Sequence, residues 1–165
     1  MKQQQQKNIR GFTVVEFTVL ICIGILVLGI AIPKFIMASH MRKTKEIAIV
    51  LNRLFEAQFI YQREHKVFAS NIAKLPIKKS DLRSKWFEYS IPYATHDTFF
   101  VKATVKRPFG EATTNDWAGI SSAKIRSISN SEIFGKYAVE WVLLMKKDEK
   151  RRQKLQKKKD KKISS

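Results

Sequence analysis

One carboxylate stands in the most apolar stretch of the sequence, and charge pairing is the first chemistry that the residues indicate. Glu16 is followed by seventeen residues without a charge, residues 17–33. A carboxylate costs roughly 2.5–3.5 kcal/mol near the centre of a bilayer and less towards its edge, so such a residue usually has a cationic partner. The nearest candidates are the Arg10 side chain and an amine created at Phe12 by cleavage of the chain.

Gly11 lies between a basic segment and the apolar run, where the lack of a side chain would let a protease approach the backbone closely. Residues 1–11 contain Lys2, Lys7 and Arg10 and no acidic residue. Basic residues before an apolar segment favour a cytoplasmic N-terminus. The sequence therefore predicts a candidate cleavage position at the cytoplasmic end of a membrane segment.

The apolar run, residues 12–33, is long enough to cross a hydrocarbon core of about 30 Å as a helix. A plain single-pass anchor and a secretory signal peptide are the simplest alternatives. The signal peptide fits poorly, because the run is long and no small-x-small cleavage site is evident after it. We therefore expect a transmembrane segment.

Residues 10–16 read Arg-Gly-Phe-Thr-Val-Val-Glu and resemble the prepilin processing motif of type IV pilins and type II secretion pseudopilins. A Gly-Phe pair alone is common. Gly-Phe followed by Thr, two apolar residues, Glu and a long uncharged run is specific. The resemblance covers residues 7–35 closely and residues 36–105 more loosely, with a generic single-pass anchor as the alternative.

The resemblance implies a processing pathway and a set of partners. A prepilin peptidase would cut after Gly11 and release residues 1–11, and the new amine of Phe12 would be N-methylated. Glu16 would pair with the Phe12 amine of a neighbouring subunit during assembly at an inner-membrane platform. A buried carboxylate and a buried ammonium each reduce the desolvation penalty of the other, so pairing between subunits would depend on correct register.

Two glycines and a proline interrupt the apolar helix, as the same family resemblance leads one to expect. Gly24 and Gly29 lie within it, and Pro33 ends it where these proteins commonly have a proline. They would let the helix bend or locally melt. Helix–helix packing by small residues is an equally open interpretation of the glycines.

After Pro33, apolar residues continue at spacings of three and four, so one helix over residues 12–65 is the simplest prediction. Alternating aromatic and β-branched residues predict strands afterwards. We predict an α+β fold in which the helix packs on a small antiparallel sheet, as in pilins. The predicted later elements are a helical turn from Ser70 to Lys74, strands over 86–93 and 98–106, a loop over 111–119, a short strand over 124–128 and a strand over 137–144.

The net charge of +18 is concentrated at the C-terminus, where residues 146–165 hold eleven Lys/Arg against three Asp/Glu. This tail has almost no apolar residue, so we expect disorder or a solvated helix. Contact with nucleic acid through Lys157, Lys158 and Lys159 is a candidate role, since each neutralised phosphate releases counterions. The tail has no aromatic residue to stack on bases, which favours a merely solvated segment.

No catalytic, cofactor or metal motif emerges from the sequence. The three histidines have no metal-ligand spacing, no glycine-rich phosphate loop is evident, and Cys22 lies in the apolar run. We therefore expect no enzyme, no cofactor and no metal. The predicted domains are a leader (1–11), a transmembrane or filament-core helix (12–33), a globular domain (34–145) and a basic tail (146–165).

Three functions remain open from the sequence. The first is a pilin or pseudopilin subunit of a helical homo- or hetero-polymer, inserted in the inner membrane with a cytoplasmic N-terminus and then assembled into a filament in the periplasm or at the cell surface. The second is a DNA-binding minor pilin of a DNA-uptake filament. The third is an unprocessed single-pass membrane-anchored protein.

Overall fold

The computed structural model describes the backbone of residues 13–163 and the side chains of residues 13–160. The chain divides into two units, Met1–Ala38 and Ser39–Ser165. A single helix, α1 (Val14–His65), forms the described part of the first unit and is the first element of the second. The long helix predicted over residues 12–65 is thus confirmed for the described residues.

A four-stranded antiparallel sheet, in the order β1-β2-β3-β4, follows α1 in the second unit. Pro92 is tolerated in β1 because this strand is at the edge of the sheet, and the register with β2 shifts between Ser90 and Tyr93. The strands are β1 (Phe87–Ala94), β2 (Phe99–Val105), β3 (Trp117–Ser121) and β4 (Arg126–Ile128).

The core of the second unit lies between α1 and one face of this sheet. Ile47, Leu51 and Leu54 recur at helical spacing and are completely buried. The ring of Phe55 lies 5.7 Å from that of Phe99 in β2, measured between centroids. The α+β prediction is therefore confirmed. The buried residues of β2 alternate along the strand, as expected for a sheet with one covered face: Phe99, Val101, Ala103 and Val105.

The strand predicted over residues 137–144 is wrong, because a second helix, α2 (Val139–Ile163), begins there. A strand would put Trp141 and Leu143 on the same face, whereas Trp141 is 1% exposed and Leu143 is 61% exposed. A short apolar run does not distinguish a strand from a helix by its pattern alone. The Lys, Arg, Glu and Gln residues that follow favour a helix, and α2 extends through them.

Smaller differences concern the segments between the main elements. The loop predicted over residues 111–119 runs into β3, which begins at Trp117. The helical turn predicted from Ser70 is a 3-10 turn, Ile72–Lys74, and it is capped by Asn71 instead, whose Oδ1 accepts the Ala73 N–H. The short strand predicted over residues 124–128 contains β4.

The basic tail is helical as far as it is described, through Ile163, with every side chain from Glu149 to Asp160 exposed. It is therefore a solvated helix, one of the two states expected for residues 146–165. Its apolar anchor lies earlier, at Trp141, whose indole N–H donates to the carbonyl of Ser127 at 3.1 Å. This contact fastens the start of α2 to β4.

One buried amide joins the end of α1 to the segment after it. Gln58 is 0% exposed, its Nε2 donates to the Ala69 carbonyl at 2.8 Å, and its Oε1 accepts the Ala69 N–H at 2.9 Å. Two backbone groups without a secondary-structure partner are satisfied in this way. Gln58 therefore replaces a pair of backbone hydrogen bonds.

Replacing Gln58 with leucine is expected to lower the free energy of unfolding by about 2 kcal/mol, because the buried Ala69 amide and carbonyl lose their partners while apolar area is gained. All three tryptophans, Trp86, Trp117 and Trp141, belong to the second unit, so tryptophan fluorescence of the full chain in a non-ionic detergent reports its melting. Gln153→Leu, on the exposed part of α2, is the control and should change the melting temperature little. Equal shifts in both variants would contradict the role of the Gln58 amide.

Candidate functional site

The first described residues of α1 form a compact hydrogen-bonded cap around Glu16. Glu16 Oε2 accepts the backbone N–H of Thr13 at 2.8 Å and the Thr13 hydroxyl at 2.9 Å. In return the backbone N–H of Glu16 donates to Thr13 Oγ1 at 3.3 Å. This reciprocal pattern is a capping box, with Thr13 before the helix and Glu16 in its first turn.

The cap gives Glu16 a role within its own chain that the sequence analysis did not assign. The Thr-x-x-Glu spacing was visible in the sequence and is the signal that identifies it. A carboxylate in the first turn also interacts favourably with the helix dipole. Glu16 thus fixes where α1 begins, next to the predicted cleavage position. Gly11 and Phe12 themselves lie outside the described residues.

The apolar part of α1 presents its side chains outward. By length and composition this helix can cross a membrane, and none of its most apolar window is buried. Cys22 is exposed on it as a free thiol. A surface of this kind is stable in lipid or against other apolar helices, and unfavourable in water. The length, composition and exposure of this helix therefore support the prediction of a possible transmembrane segment.

Gly24 and Gly29 are not required by packing within the described part of the chain. A Cβ added at either glycine would meet no described atom beyond its own stretch of helix within 4 Å. α1 continues through Pro33 rather than ending there. Because proline has no amide hydrogen, the carbonyl of Gly29, four residues earlier, loses its usual helical partner. Gly29 and Pro33 thus mark one point where the backbone bonding of α1 is incomplete.

A buried ion pair in the second unit ties three elements together. Arg126 of β4 pairs with Asp148 of α2, and its Nη2 donates to Asn52 Oδ1 of α1 at 2.9 Å. The guanidinium also lies 5.2 Å from the centre of the Trp141 ring. Only 4% of the Arg126 side chain is exposed. This cluster holds α2 on β4 and is structural.

Asp116, a buried acidic residue of the second unit, has a structural role. Its carboxylate accepts the Thr113 backbone N–H at 2.8 Å and the Ser129 hydroxyl at 3.0 Å. These bonds shape the turn before β3. Across the part of the chain that the structure describes, no group of three His, Cys, Asp or Glu residues could hold a metal ion.

A cleft of about 610 Å³ lies beside the start of β1, near a set of ionisable groups. Burial raises the pKa of Glu46, against the opposing effect of a hydrogen bond from Ser84. Burial and the charge of Glu46 raise the pKa of Tyr89. Ser84 Oγ also accepts the backbone N–H of Phe87 at 2.9 Å. The hydroxyl is thus engaged in fastening β1 to α1.

A second set of perturbed groups surrounds His40. Partial burial, and then the nearby Lys43 ammonium, lower the pKa of His40. Its ring stacks on Phe109 at 5.6 Å and meets Tyr137 edge-on at 5.3 Å. Lys43 Nζ lies 3.9 Å from the Trp86 ring centre. These contacts are those of a packed aromatic cluster that holds α1 to neighbouring loops.

The three lysines predicted as a possible nucleic-acid contact are exposed on α2 but do not form one patch. At 100° per residue, Lys157 and Lys159 lie about 160° apart around α2, and Lys158 is about 100° from each of them. Lys157 and Lys158 continue a row of basic residues that begins at Lys146. The sequence analysis missed this row because it treated the tail as a composition rather than as a helix with sides.

No protein-family model matches the chain, and a search of curated proteins finds no significant match.

Proposed function

We propose that this chain is a structural subunit, a pilin or pseudopilin, of a type IV pilus or type II secretion filament. The observation that carries the proposal is the run from Arg10 to Glu16 at the start of a helix whose most apolar window is not buried. The α+β second unit is the kind of domain that such subunits carry beside the filament core. The subunit is processed after Gly11 and assembled from the inner membrane.

The capping box supports a particular assembly mechanism. Cleavage after Gly11 creates an ammonium at Phe12, one residue before Thr13, whose backbone N–H donates to the Glu16 carboxylate. Within the described residues Glu16 is bonded only locally, by groups that leave its negative charge uncompensated. In the apolar filament core, the Phe12 ammonium of a neighbouring subunit neutralises that charge and relieves the desolvation penalty of both groups.

The exposed apolar part of α1 supports the same function, because it is a surface on which other helices can pack. Apolar helices of neighbouring subunits cover each other in a head-to-tail contact that does not close, and this generates a helical filament. Gly24 and Gly29 leave open space on α1, which lets another helix approach closely. Before assembly the same surface is covered by lipid in the inner membrane, with the N-terminus in the cytoplasm.

Processing of the N-terminus tests the proposal directly. Intact-mass spectrometry of the chain from a host with an active prepilin peptidase should show the loss of residues 1–11 and the addition of one methyl group at Phe12. Gly11→Val should retain residues 1–11, because a branched side chain crowds the scissile bond. Gly24→Val, a matched substitution beyond that bond, should still be cleaved.

An unprocessed anchored protein is the alternative that this measurement separates. Wild-type chain that keeps residues 1–11 in cells whose other prepilins are cleaved would overturn the proposed function.

A further inference from the structure

One face of α2 carries a row of exposed basic side chains, which we call the basic stripe. The spacing of its members is three or four residues, so at 100° per residue they fall within an arc of about 140°. The row extends over about 18 Å of helix at 1.5 Å per residue. All its members are exposed. They are Lys146, Lys147, Lys150, Arg151, Lys154, Lys157 and Lys158.

The basic stripe is not neutralised by the acidic residues of the same helix. Glu149 and Asp160 lie on a separate side of α2 together with Gln153 and Gln156. Among the side chains that the structure describes, no stripe residue lies within 4.0 Å of a carboxylate as an ion pair. The basic stripe is thus a solvent-exposed surface of positive charge that no acidic side chain interrupts.

The anchor of α2 turns the stripe away from the body of the second unit. Trp141 and Asp148 bond to β4 and lie on the side of the helix opposite the stripe. Leu143, at the start of the stripe face, is 61% exposed. A shallow groove of about 560 Å³ runs along this face, lined by Leu143, Lys146, Lys147, Lys150, Arg151 and Lys154.

We propose that the basic stripe binds the phosphate backbone of a nucleic-acid duplex. Lysine ammoniums are compact point charges suited to single phosphate contacts, and six of the seven stripe residues are lysines. A helix about 10–12 Å across fits a major groove about 12 Å wide. The stripe holds no Asn or Gln that could read an adenine, and we assign its lysines to phosphate contacts, so binding is driven mainly by counterion release.

The chemistry of the stripe favours a nucleic acid over the other polyanions. A helix that lies on a membrane needs Trp, Phe or Leu on the face beside its basic residues to enter the acyl region, and the exposed part of α2 from residue 149 to residue 160 offers only Leu155. An acidic protein surface is usually met by arginines in bidentate pairs, and the stripe has one. The lack of aromatic residues disfavours stacking on single strands, so a duplex, with its higher charge density, is preferred.

This inference goes beyond the proposed filament function, because binding by α2 requires neither processing nor assembly. Its test uses the full chain in a non-ionic detergent and a labelled DNA duplex of about two helical turns, followed by fluorescence anisotropy between about 50 and 200 mM salt. Seven phosphate contacts would give a slope of log affinity against log salt of up to about −6. A single strand of the same length should bind more weakly.

A matched pair of double variants separates the stripe from net charge. Lys150→Gln with Lys154→Gln removes two charges from the stripe and should weaken binding about tenfold and reduce the slope by about 2. Arg152→Gln with Lys159→Gln removes two charges from the opposite side of α2 and should change affinity less than about twofold. Both pairs keep helix-favouring side chains, so the helix itself is preserved.

Two outcomes would overturn the proposal. If the two double variants lose affinity equally, the duplex responds to net charge and not to the stripe. If phosphatidylglycerol in the detergent micelles binds in a stripe-dependent way and displaces the duplex at matched phosphate concentration, while phosphatidylcholine does not, the ligand is an anionic lipid surface.

Discussion

Chains that carry Glu16→Leu are expected to reach the membrane in at least wild-type amounts and to fail to enter filaments. Removal of the carboxylate lowers the cost of membrane insertion, so the membrane level should hold or rise. Cleavage after Gly11 should persist, because Glu16 lies beyond the bond. Incorporation should fall to near zero, since the Phe12 ammonium of the neighbouring subunit would then be buried without a counter-charge.

The capping box provides controls that separate charge from helix capping. Glu16→Gln keeps an oxygen that can accept the Thr13 N–H but removes the charge, and it should assemble as poorly as Glu16→Leu. Thr13→Ala removes the hydroxyl that caps α1, at a cost of about 1 kcal/mol in helix stability, but keeps the Glu16 charge, and it should still assemble. Membrane level, N-terminal mass and filament incorporation are measured together in the native host.

The variants that fail to assemble show whether Glu16 acts through a charge pair or through the helix cap. Assembly of Glu16→Gln combined with loss in Thr13→Ala would assign Glu16 to the cap rather than to a charge pair. Normal incorporation of Glu16→Leu would remove the charge pair from the mechanism, and a plain anchor or a peripheral, tip-like subunit would then be favoured.

Asp148→Ala is expected to lower the free energy of unfolding of the second unit by about 3 kcal/mol, because it leaves the Arg126 guanidinium buried without its counter-charge. We place the effect at the low end for a buried pair, since 19% of the Asp148 side chain is exposed. The melting temperature, followed by tryptophan fluorescence of the full chain, should fall by roughly 10 °C.

Two comparisons make this prediction specific to the ion pair. Glu149→Ala removes the neighbouring exposed carboxylate from the same helix and should shift stability by less than about 0.5 kcal/mol. Arg126→Met combined with Asp148→Ala should be more stable than Asp148→Ala alone, because no charge is then left buried. A double variant that is less stable than the single variant would contradict this account.

The elements that could be predicted are those in which the spacing of apolar residues matches the side of the element that is buried in the structure. α1 keeps a three- and four-residue spacing through Leu51 and Leu54, and β2 alternates through Phe99 and Val101, so both were visible in the sequence. β3 was hidden because Gly119 at its centre has no side chain. Phe100 covers this glycine, so closely that an added Cβ would overlap the Phe100 ring.

The start of α2 could not be predicted because its apolar residues satisfy two patterns at once. The contacts of Trp141 with Arg126 and with the Ser127 carbonyl, both distant in sequence, add to the helix propensity of the residues that follow and select the helix. The candidate site also had one part that the sequence revealed and one part that required the structure. Glu16 was identified from its charge in an apolar run, while its bond to Thr13 depends on where α1 begins. The basic stripe required the helix, because lysines acquire a common face only at helical spacing.

The Arg126–Asp148 pair also divides α2 into two parts that differ in local stability. Up to Asp148 the helix is held by the buried Trp141 and by the ion pair, and after Asp148, through Asp160, every side chain is exposed to water. A segment without buried contacts opens locally at little cost, so its amide hydrogens exchange with solvent much faster than those around Trp141. We therefore expect proteases that cut after lysine to cleave α2 within this second part. Such cleavage would remove part of the basic stripe while the core of the second unit remains folded.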